Sequence, residues 1–211
     1  MCDASLRTSG RGPRRRRWFW DLRRDLRRTY NYLDGSRARR LVACFATPGV
    51  QAVLVYRFGR WLRGQSVPIR LVMSPAYHAL NLAVRCIWGI DIPRGCAIGA
   101  GLYIGHFGGI TLAPGAVIGR NCNLSHDVTI GLGGQDDALG SPVIGNDVYI
   151  APGAKLFGRI RVGNNVKIGA NAVVYRDVPD NAVVVLDPGF RIISLKGNRR
   201  RRSAEQAVKA A

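Results

Sequence analysis

The sequence is short of acidic side chains, of histidines and of paired cysteines. Only 13 aspartates and glutamates stand against 32 lysines and arginines among 211 residues, a net charge of +19. Such an excess suggests nucleic acid or an anionic membrane as a partner. The five cysteines form no C-x-x-C pair, which argues against a zinc ribbon and a disulfide framework and favours a reducing compartment.

Long apolar runs are scarce as well. The longest uncharged apolar-rich run covers residues 71–84 and is shorter than a bilayer-spanning helix requires. The arginines at 14–17 are followed by further charges rather than by an apolar segment, so a secretory signal is not indicated. We therefore expect a cytoplasmic protein.

The basic charge belongs to the ends of the chain. Residues 1–90 hold 18 basic and 4 acidic residues, residues 91–197 hold 9 and 8, and residues 198–211 hold 5 and 1. The nearly neutral middle does not favour nucleic acid as the partner. The predicted organisation is a disordered basic tail (1–17), a helical region (18–90), a repeat domain (91–195) and a basic C-terminal tail (196–211).

Helical periodicity marks the region before the repeats. Apolar residues at 18, 22, 26, 30 and 33 share one helical face, and arginines lie between them. This amphipathic helix either packs on a neighbouring helix or subunit, or lies on an anionic membrane at the inner face of the cell. Further helices are predicted over 50–62, and over 69–88, where Pro75 starts or breaks the helix.

From residue 92 an aliphatic side chain recurs every six residues, often followed by glycine. The series comprises Ile92, Ile98, Ile104, Ile110, Ile118, Leu124, Ile130, Ile144, Ile150, Leu156, Val162, Ile168 and Val174. A period of six is typical of a parallel β-helix, in which each side of a prism is a short strand and a turn. A two-residue insertion precedes Ile118, and a longer one between Ile130 and Ile144 predicts a protruding loop.

The same residues resemble the hexapeptide acyltransferases, most of all the serine acetyltransferase branch. The resemblance covers roughly 47–195 and rests on the segments TPGVQAVLVYRFGRWL, IDIPRGCAIGAGLYIGHFGGI, APGAVIGRNCNLSHDVTIGLGG and VYIAPGAKLFGRIRVGNNVKIGANAVVYRDVP. It implies a mainly β fold, a left-handed parallel β-helix preceded by an α-helical N-terminal region. It also implies a homotrimer with active sites between subunits, acetyl-CoA as co-substrate and no metal.

The resemblance gives His106, in IGHFGG, the role of general base toward the acceptor hydroxyl. Imidazole ordinarily titrates near neutral pH, which suits that role. Asp91 lies 15 residues upstream, the family's spacing for the aspartate that orients the histidine. His126 occupies the same hexapeptide position as His106, so it either lines the acceptor pocket, serves a neighbouring subunit or is a plain turn residue.

Further site residues follow from the resemblance. Backbone N–H groups of Leu132, Gly133 and Gly134 are expected to stabilise the oxyanion. The CoA groove is expected along the later coils, where Lys167 pairs with a phosphate. Its residues are Ala151, Pro152, Lys167, Gly169, Ala170 and Arg191.

Two departures from the family bear on the acceptor. Serine-binding members place an acid before the catalytic histidine, where this chain has Gly105, and an Arg-His pair before the loop-closing proline, where it has Gly140-Ser141. Gly105, His126 and Ser141 are therefore the predicted acceptor contacts. A site without these charges suits a neutral hydroxyl, so the sequence predicts O-acetylation of a sugar or exopolysaccharide precursor.

Three alternatives compete with that function. One is a serine O-acetyltransferase of cysteine biosynthesis with a rearranged acceptor site. Another is a non-catalytic basic scaffold that binds membrane or nucleic acid. A β-helix metalloenzyme of the carbonic anhydrase type needs three close histidines, and only His106 and His126 lie in the repeats.

Overall fold

A computed structural model describes residues 14–133 and 139–186. In these ranges four helices precede fourteen short strands. The helices are α1 (Arg14–Tyr32), α2 (Arg37–Ala46), α3 (Pro48–Leu62) and α4 (Val67–Trp88). The strands are β1 (Ile90–Asp91), β2 (Ala97–Ile98), β3 (Tyr103–Ile104), β4 (Ile110–Leu112), β5 (Val117–Ile118), β6 (Asn123–Leu124), β7 (Thr129–Gly131), β8 (Val143–Ile144), β9 (Tyr149–Ile150), β10 (Lys155–Phe157), β11 (Arg161–Val162), β12 (Lys167–Ile168), β13 (Val173–Val174) and β14 (Val183–Val184).

The helical region differs from the sequence prediction at three places. Helix α1 begins at Arg14 rather than at 18, because arginine is a good helix former. Helix α4 continues through Pro75, which is exposed. Helix α2 is not predicted from the sequence; its N-cap Ser36 accepts a hydrogen bond from the N–H of Arg39 at 3.4 Å.

Helix α1 is tied to the β-helix by a buried ion pair. Arg57 Nε of α3 donates to Asp25 Oδ2 at 2.8 Å, and its Nη2 donates to Gly99 O at 2.6 Å. Asp25 Oδ1 accepts from the N–H groups of Gly101 and Leu102 at 2.6 and 2.9 Å. The apolar stripe of α1 is half-buried, and α1 contacts α2, α3 and β3, which agrees with the first of its two interpretations.

No single helix of the described segments is long and apolar enough to cross a membrane. Helices α2 and α3 together, with a bend of 66° between them, do reach the necessary length and composition. Helix α3 contacts α1, α2, α4 and β3, and most of its residues on those sides are buried.

Three parallel sheets form the sides of the β-helix. Sheet A has the order β1-β4-β7-β10-β13, sheet B β11-β8-β5-β2 and sheet C β14-β12-β9-β6-β3. Aliphatic residues stack in register inside the prism, for example Ile104, Leu124, Ile150 and Ile168 in sheet C. Every member of the predicted hexapeptide series is buried, so the predicted core is confirmed.

The insertions lie at defined corners of the prism. In β4 both Ile110 and Leu112 are buried, and it is Leu112 that aligns with Ile130 of the next coil. The longer insertion leaves the prism through an antiparallel bridge between Gly133 and Gly140. The predicted tails 1–17 and 196–211 lie outside the described residues, except that α1 takes in 14–17. Residues 187–195 of the predicted repeat domain also lie outside them.

Helix α3 approaches the strand that leads to His106 very closely. A Cβ atom on Gly49 would lie 2.3 Å from Ile104 O, closer than any van der Waals contact allows. Glycine is required here because the helix start rests directly on the backbone of β3. The contact fixes the helical region against the coil that carries the candidate base.

Candidate active site

His106 and His126 stand at equivalent positions of neighbouring coils. Ile104 pairs with Leu124 in parallel register, and each histidine follows its strand by two residues. The two ring centroids lie 5.8 Å apart with an interplanar angle of 87°. Both side chains are exposed, so two imidazoles face solvent side by side.

The turns between sheets C and A stack into one edge of the prism, here called the histidine edge. Gly108 N donates to Trp88 O at 2.9 Å, and Asp127 N donates to Gly108 O at 2.7 Å. Further along, Gly153 N donates to His126 O at 3.1 Å. The sequence-predicted residues on this edge are Gly105, His106, His126, Ala151, Pro152, Gly169 and Ala170.

Asp91 ends β1, the first strand of sheet A, which directly follows helix α4. Its Oδ2 lies 3.3 Å from Arg85 Nε, and it aligns with Thr111 of the next coil. Within the described ranges no hydrogen bond joins Asp91 to His106. The orienting role of Asp91 therefore stays a prediction.

A charged pair that the sequence analysis overlooked borders His126. Lys155 Nζ donates to Asp127 O at 2.6 Å and to Asp127 Oδ1 at 2.9 Å. Asp127 has φ 55°, in the left-handed region that aspartate tolerates at turns. The Asp127 side chain is 62% exposed, so a carboxylate paired with Lys155 lies at the histidine edge.

An aromatic pair also adjoins His106. The ring of Phe107 lies 5.2 Å from that of Trp88 in an edge-on arrangement, and Trp88 Nε1 donates to Gln51 Oε1 at 2.9 Å. Phe107 is 52% exposed. The pair adds an apolar surface next to the imidazole.

The predicted oxyanion residues lie on a different edge, between sheets A and B, here called the loop edge. Gly133 N donates to Gly140 O at 3.2 Å, and Ser141 Oγ donates to Pro114 O at 3.1 Å. Leu132 is exposed beside them. Sheet A separates this edge from His106, so one chain alone does not bring the two groups together.

Three remaining predicted residues have separate outcomes. Lys167 lies exposed in β12, in sheet C, where it aligns with Tyr149 and Val183. It is therefore not on the histidine edge. Gly134 and Arg191 lie outside the described residues.

An arginine packs against the base of the protruding loop. A Cβ atom on Gly140 would stand 2.9 Å from Arg159 Cβ and 3.1 Å from Arg159 Cγ. Gly140-Ser141 is where the sequence analysis found the family's Arg-His pair missing. A cationic side chain is thus present at the loop edge, although it comes from the next coil.

Metal ligation has no support in the described ranges. No group of three or more His, Cys, Asp or Glu side chains in them is arranged to hold a metal ion. The described cysteines, Cys44, Cys86, Cys96 and Cys122, are free thiols.

Known proteins resemble this chain in its hexapeptide repeats and over most of its sequence. Residues 141–176 match the family "Bacterial transferase hexapeptide (six repeats)". A serine acetyltransferase of Synechococcus elongatus is 36% identical over 152 residues, which are 72% of this chain and 59% of that protein. A serine acetyltransferase of Helicobacter pylori is 38% identical over 138 residues, 65% of this chain and 77% of that protein.

Solved structures give the same result. A coenzyme A complex of the Brucella abortus serine acetyltransferase superposes with a TM-score of 0.68 at 30% identity, covering 85% of this chain and 68% of that one. A serine complex of the Neisseria gonorrhoeae serine acetyltransferase gives 0.67 at 28% identity, covering 82% and 68%. The predicted left-handed parallel β-helix is confirmed.

These likenesses also correct the predicted acceptor. The sugar or exopolysaccharide acceptor is wrong, because the relatives are serine acetyltransferases and one solved structure holds serine. The prediction inferred an uncharged site from two missing charges, whereas Asp127 lies at the histidine edge and Arg159 at the loop edge. By its repeats, its sequence and its fold, the chain belongs to the serine acetyltransferase branch of the hexapeptide-repeat acyltransferases.

Proposed function

We propose that this protein is an acetyl-CoA-dependent serine O-acetyltransferase. The observation that carries the proposal is the pair of exposed imidazoles, His106 and His126, 5.8 Å apart on one edge of the β-helix. Membership of the serine acetyltransferase branch supports acetyl-CoA and serine as the substrates. The chain spans only 59% of the Synechococcus relative. The proposed activity is therefore argued from the residues of this site and not from the similarity alone.

His106 acts as the general base. Its imidazole takes the proton of the serine hydroxyl while the oxygen attacks the thioester carbonyl. The new carbon–oxygen bond forms, the carbon–sulfur bond breaks, and the imidazolium returns the proton to the leaving sulfur of CoA. Asp91 serves as a positioning residue. Its carboxylate leaves Arg85, accepts a hydrogen bond from the His106 imidazole and stabilises the imidazolium. His126 borders the acceptor.

The charges of serine need partners of opposite sign. Asp127 follows His126 on the histidine edge and supplies a carboxylate toward the ammonium group. Arg159 at the loop edge supplies a guanidinium, which binds a carboxylate through two parallel hydrogen bonds. Together they replace the acid absent at Gly105 and the Arg-His pair absent at Gly140-Ser141.

The histidine edge and the loop edge of one chain lie apart, so they form one site only between two chains. We propose a homotrimer in which the loop edge of one subunit, with Leu132, Gly133, Ser141 and Arg159, faces the histidine edge of the next. Gly134 stays a predicted oxyanion donor from the sequence alone. The exposed apolar surface of α4 supports an assembly, since Leu71 is 75%, Leu82 59% and Ile87 64% exposed. Acetyl-CoA then lies in the groove between subunits. Its proposed contacts are Ala151, Pro152, Lys167, Gly169, Ala170 and Arg191.

The free thiols of the described segments support a reducing, cytoplasmic location. This location stays a proposal.

The decisive test is steady-state kinetics of CoA release with L-serine as acceptor. We expect saturable turnover that falls about 10²–10⁴-fold in His106→Ala. The matched control is His78→Ala, whose histidine is exposed on α4. A wild-type enzyme without serine turnover, or a His106→Ala variant with full turnover, would refute the proposal. A monomer in light scattering would refute the trimer.

A further inference from the structure

Helices α1 and α2 present an outward surface that neither the acetyl-transfer site nor the core uses. On α1 it comprises Trp20, Arg23, Arg24 and Arg27, and on α2 it comprises Arg37, Arg39, Leu41, Val42 and Phe45. We call it the α1–α2 outer face. All nine side chains are exposed.

The apolar side of α2 points away from the protein. Leu41 is 54% exposed, Val42 72% and Phe45 47%, and the three share one helical face. The opposite side packs inward, with Cys44 buried and Arg40 Nη2 donating to Tyr30 O at 2.7 Å. A helix of a monomeric soluble protein normally has the reverse arrangement, so the exposed stripe calls for an apolar partner.

The charge of this face is of one sign. Two of the three acids between 14 and 47 turn inward, since Asp21 and Asp25 lie 3.8 and 2.8 Å from Arg57. Asp34 is exposed but sits in the connection between the helices. The α1–α2 outer face therefore combines five exposed arginines with the apolar stripe and includes no acidic residue. Trp20, 62% exposed, lies beneath Arg23, whose guanidinium carbon is 5.8 Å from the ring centroid.

A second copy of the chain, nucleic acid and an anionic bilayer differ in how well they match exposed arginines next to an apolar stripe. A second copy of the same face would bring five arginines against five, which costs binding energy. Nucleic acid would use the arginines but not the aliphatic stripe. An anionic bilayer uses both, because apolar and tryptophan side chains enter the interface while arginines reach the headgroups.

We infer that the α1–α2 outer face binds the surface of an anionic membrane. Binding is peripheral and requires no refolding, since Asp25, Arg28 and Arg57 hold α1 on the β-helix through hydrogen bonds to its first two coils. The inference stands apart from the proposed acetyl transfer, because none of its residues lies at either edge of the prism.

Co-sedimentation of the full chain with vesicles tests this inference. Wild type is expected to bind vesicles of phosphatidylcholine mixed with phosphatidylglycerol at least tenfold more tightly than pure phosphatidylcholine, and to lose that preference in high salt. The triple variants Arg23→Gln/Arg24→Gln/Arg27→Gln and Leu41→Ser/Val42→Ser/Phe45→Ser should each lose at least tenfold in affinity.

Two control variants remove exposed arginines or exposed apolar side chains away from the α1–α2 outer face. Arg120→Gln/Arg161→Gln/Arg176→Gln removes three exposed arginines from the β-helix, and Val183→Ser/Val185→Ser removes two exposed valines from its last coil. Both should bind as wild type does. Serine acetylation in solution, measured on every variant, reports whether the fold is intact and tests acetyl transfer separately.

Several outcomes would overturn the inference. Equal binding of all variants, or equal binding to neutral and anionic vesicles, would remove the membrane as the partner. Duplex DNA binding that only the arginine variant loses, without vesicle binding, would assign the face to nucleic acid. A smaller oligomer of the apolar variant, again without vesicle binding, would assign it to a second copy.

Discussion

Arg57 and Asp25 form a buried ion pair that fastens helix α1 to the first coil of the β-helix. Arg57 Nε lies 2.8 Å from Asp25 Oδ2, and both side chains are almost fully buried. Burial raises the pKa of Asp25, although the Arg57 charge opposes the shift. Such a pair costs much to desolvate, and losing one partner leaves the other charge buried alone.

The first prediction concerns this pair. Arg57→Met should lower the free energy of unfolding by about 3–5 kcal/mol, because Asp25 then lacks its counter-charge. Asp25→Leu combined with Arg57→Met should lower it less than Arg57→Met alone. Urea denaturation followed by circular dichroism measures both, with Asp34→Asn, at an exposed acid, as the control. Equal stability of wild type and Arg57→Met would contradict this account.

The second prediction concerns the contact between α3 and β3. Gly49→Ala places a Cβ 2.3 Å from Ile104 O, so the helix or the strand must shift. We expect a loss of about 1–3 kcal/mol in stability and reduced turnover, because His106 follows this strand. Gly64→Ala is the matched control, since its Cβ would meet Trp61 O at an ordinary 3.5 Å. Thermal melting and kcat should separate the two variants.

The third prediction concerns two buried thiols. Burial raises the pKa of Cys96 and of Cys122 from an ordinary 9.0 to about 11. The folded state holds both protons more tightly than the unfolded chain does. The stability they contribute is therefore complete below pH 9.0 and is lost as the pH rises through about 11.

Each thiol should account for about 2–3 kcal/mol of that alkaline loss. The variant Cys96→Ala/Cys122→Ala should fall less steeply than wild type over the same pH range in chemical denaturation. Iodoacetamide should label Cys86, which is exposed, and leave Cys96 and Cys122 unlabelled until the protein unfolds. Identical alkaline slopes for the variant and wild type would exclude the thiols as the cause.

How far the sequence predicts this molecule depends on the range of each interaction. The hexapeptide core is readable because one inward aliphatic per side follows from local backbone geometry. The register at the first insertion is harder to predict from the sequence, since Leu112 rather than Ile110 aligns with Ile130 of the next coil. Helix α2 was not predicted from the sequence; it is only ten residues long, and spacing alone does not show that its apolar residues face outward.

The charged groups of the site escaped prediction for a different reason. Asp127 directly follows His126 in the sequence, but its pairing with Lys155 appears only when the coils stack. Arg159 likewise comes beside Gly140 only through stacking. The loop sequence alone shows which of the family's charges are absent but not which charged side chains of other coils lie nearby. The error in the acceptor followed from that.

The last prediction tests the replacement directly with acceptors that lack one charge. Ethanolamine is serine without its carboxylate, and 3-hydroxypropionate is serine without its ammonium group. Arg159→Gln should raise KM for serine and for 3-hydroxypropionate while leaving ethanolamine unaffected, because the lost guanidinium serves the carboxylate. Asp127→Asn should raise KM for serine and for ethanolamine only. Arg161→Gln, two residues further on and exposed, is the control for charge. If Arg159→Gln raised KM equally for all three acceptors, the arginine would support the loop and a different group would read the carboxylate.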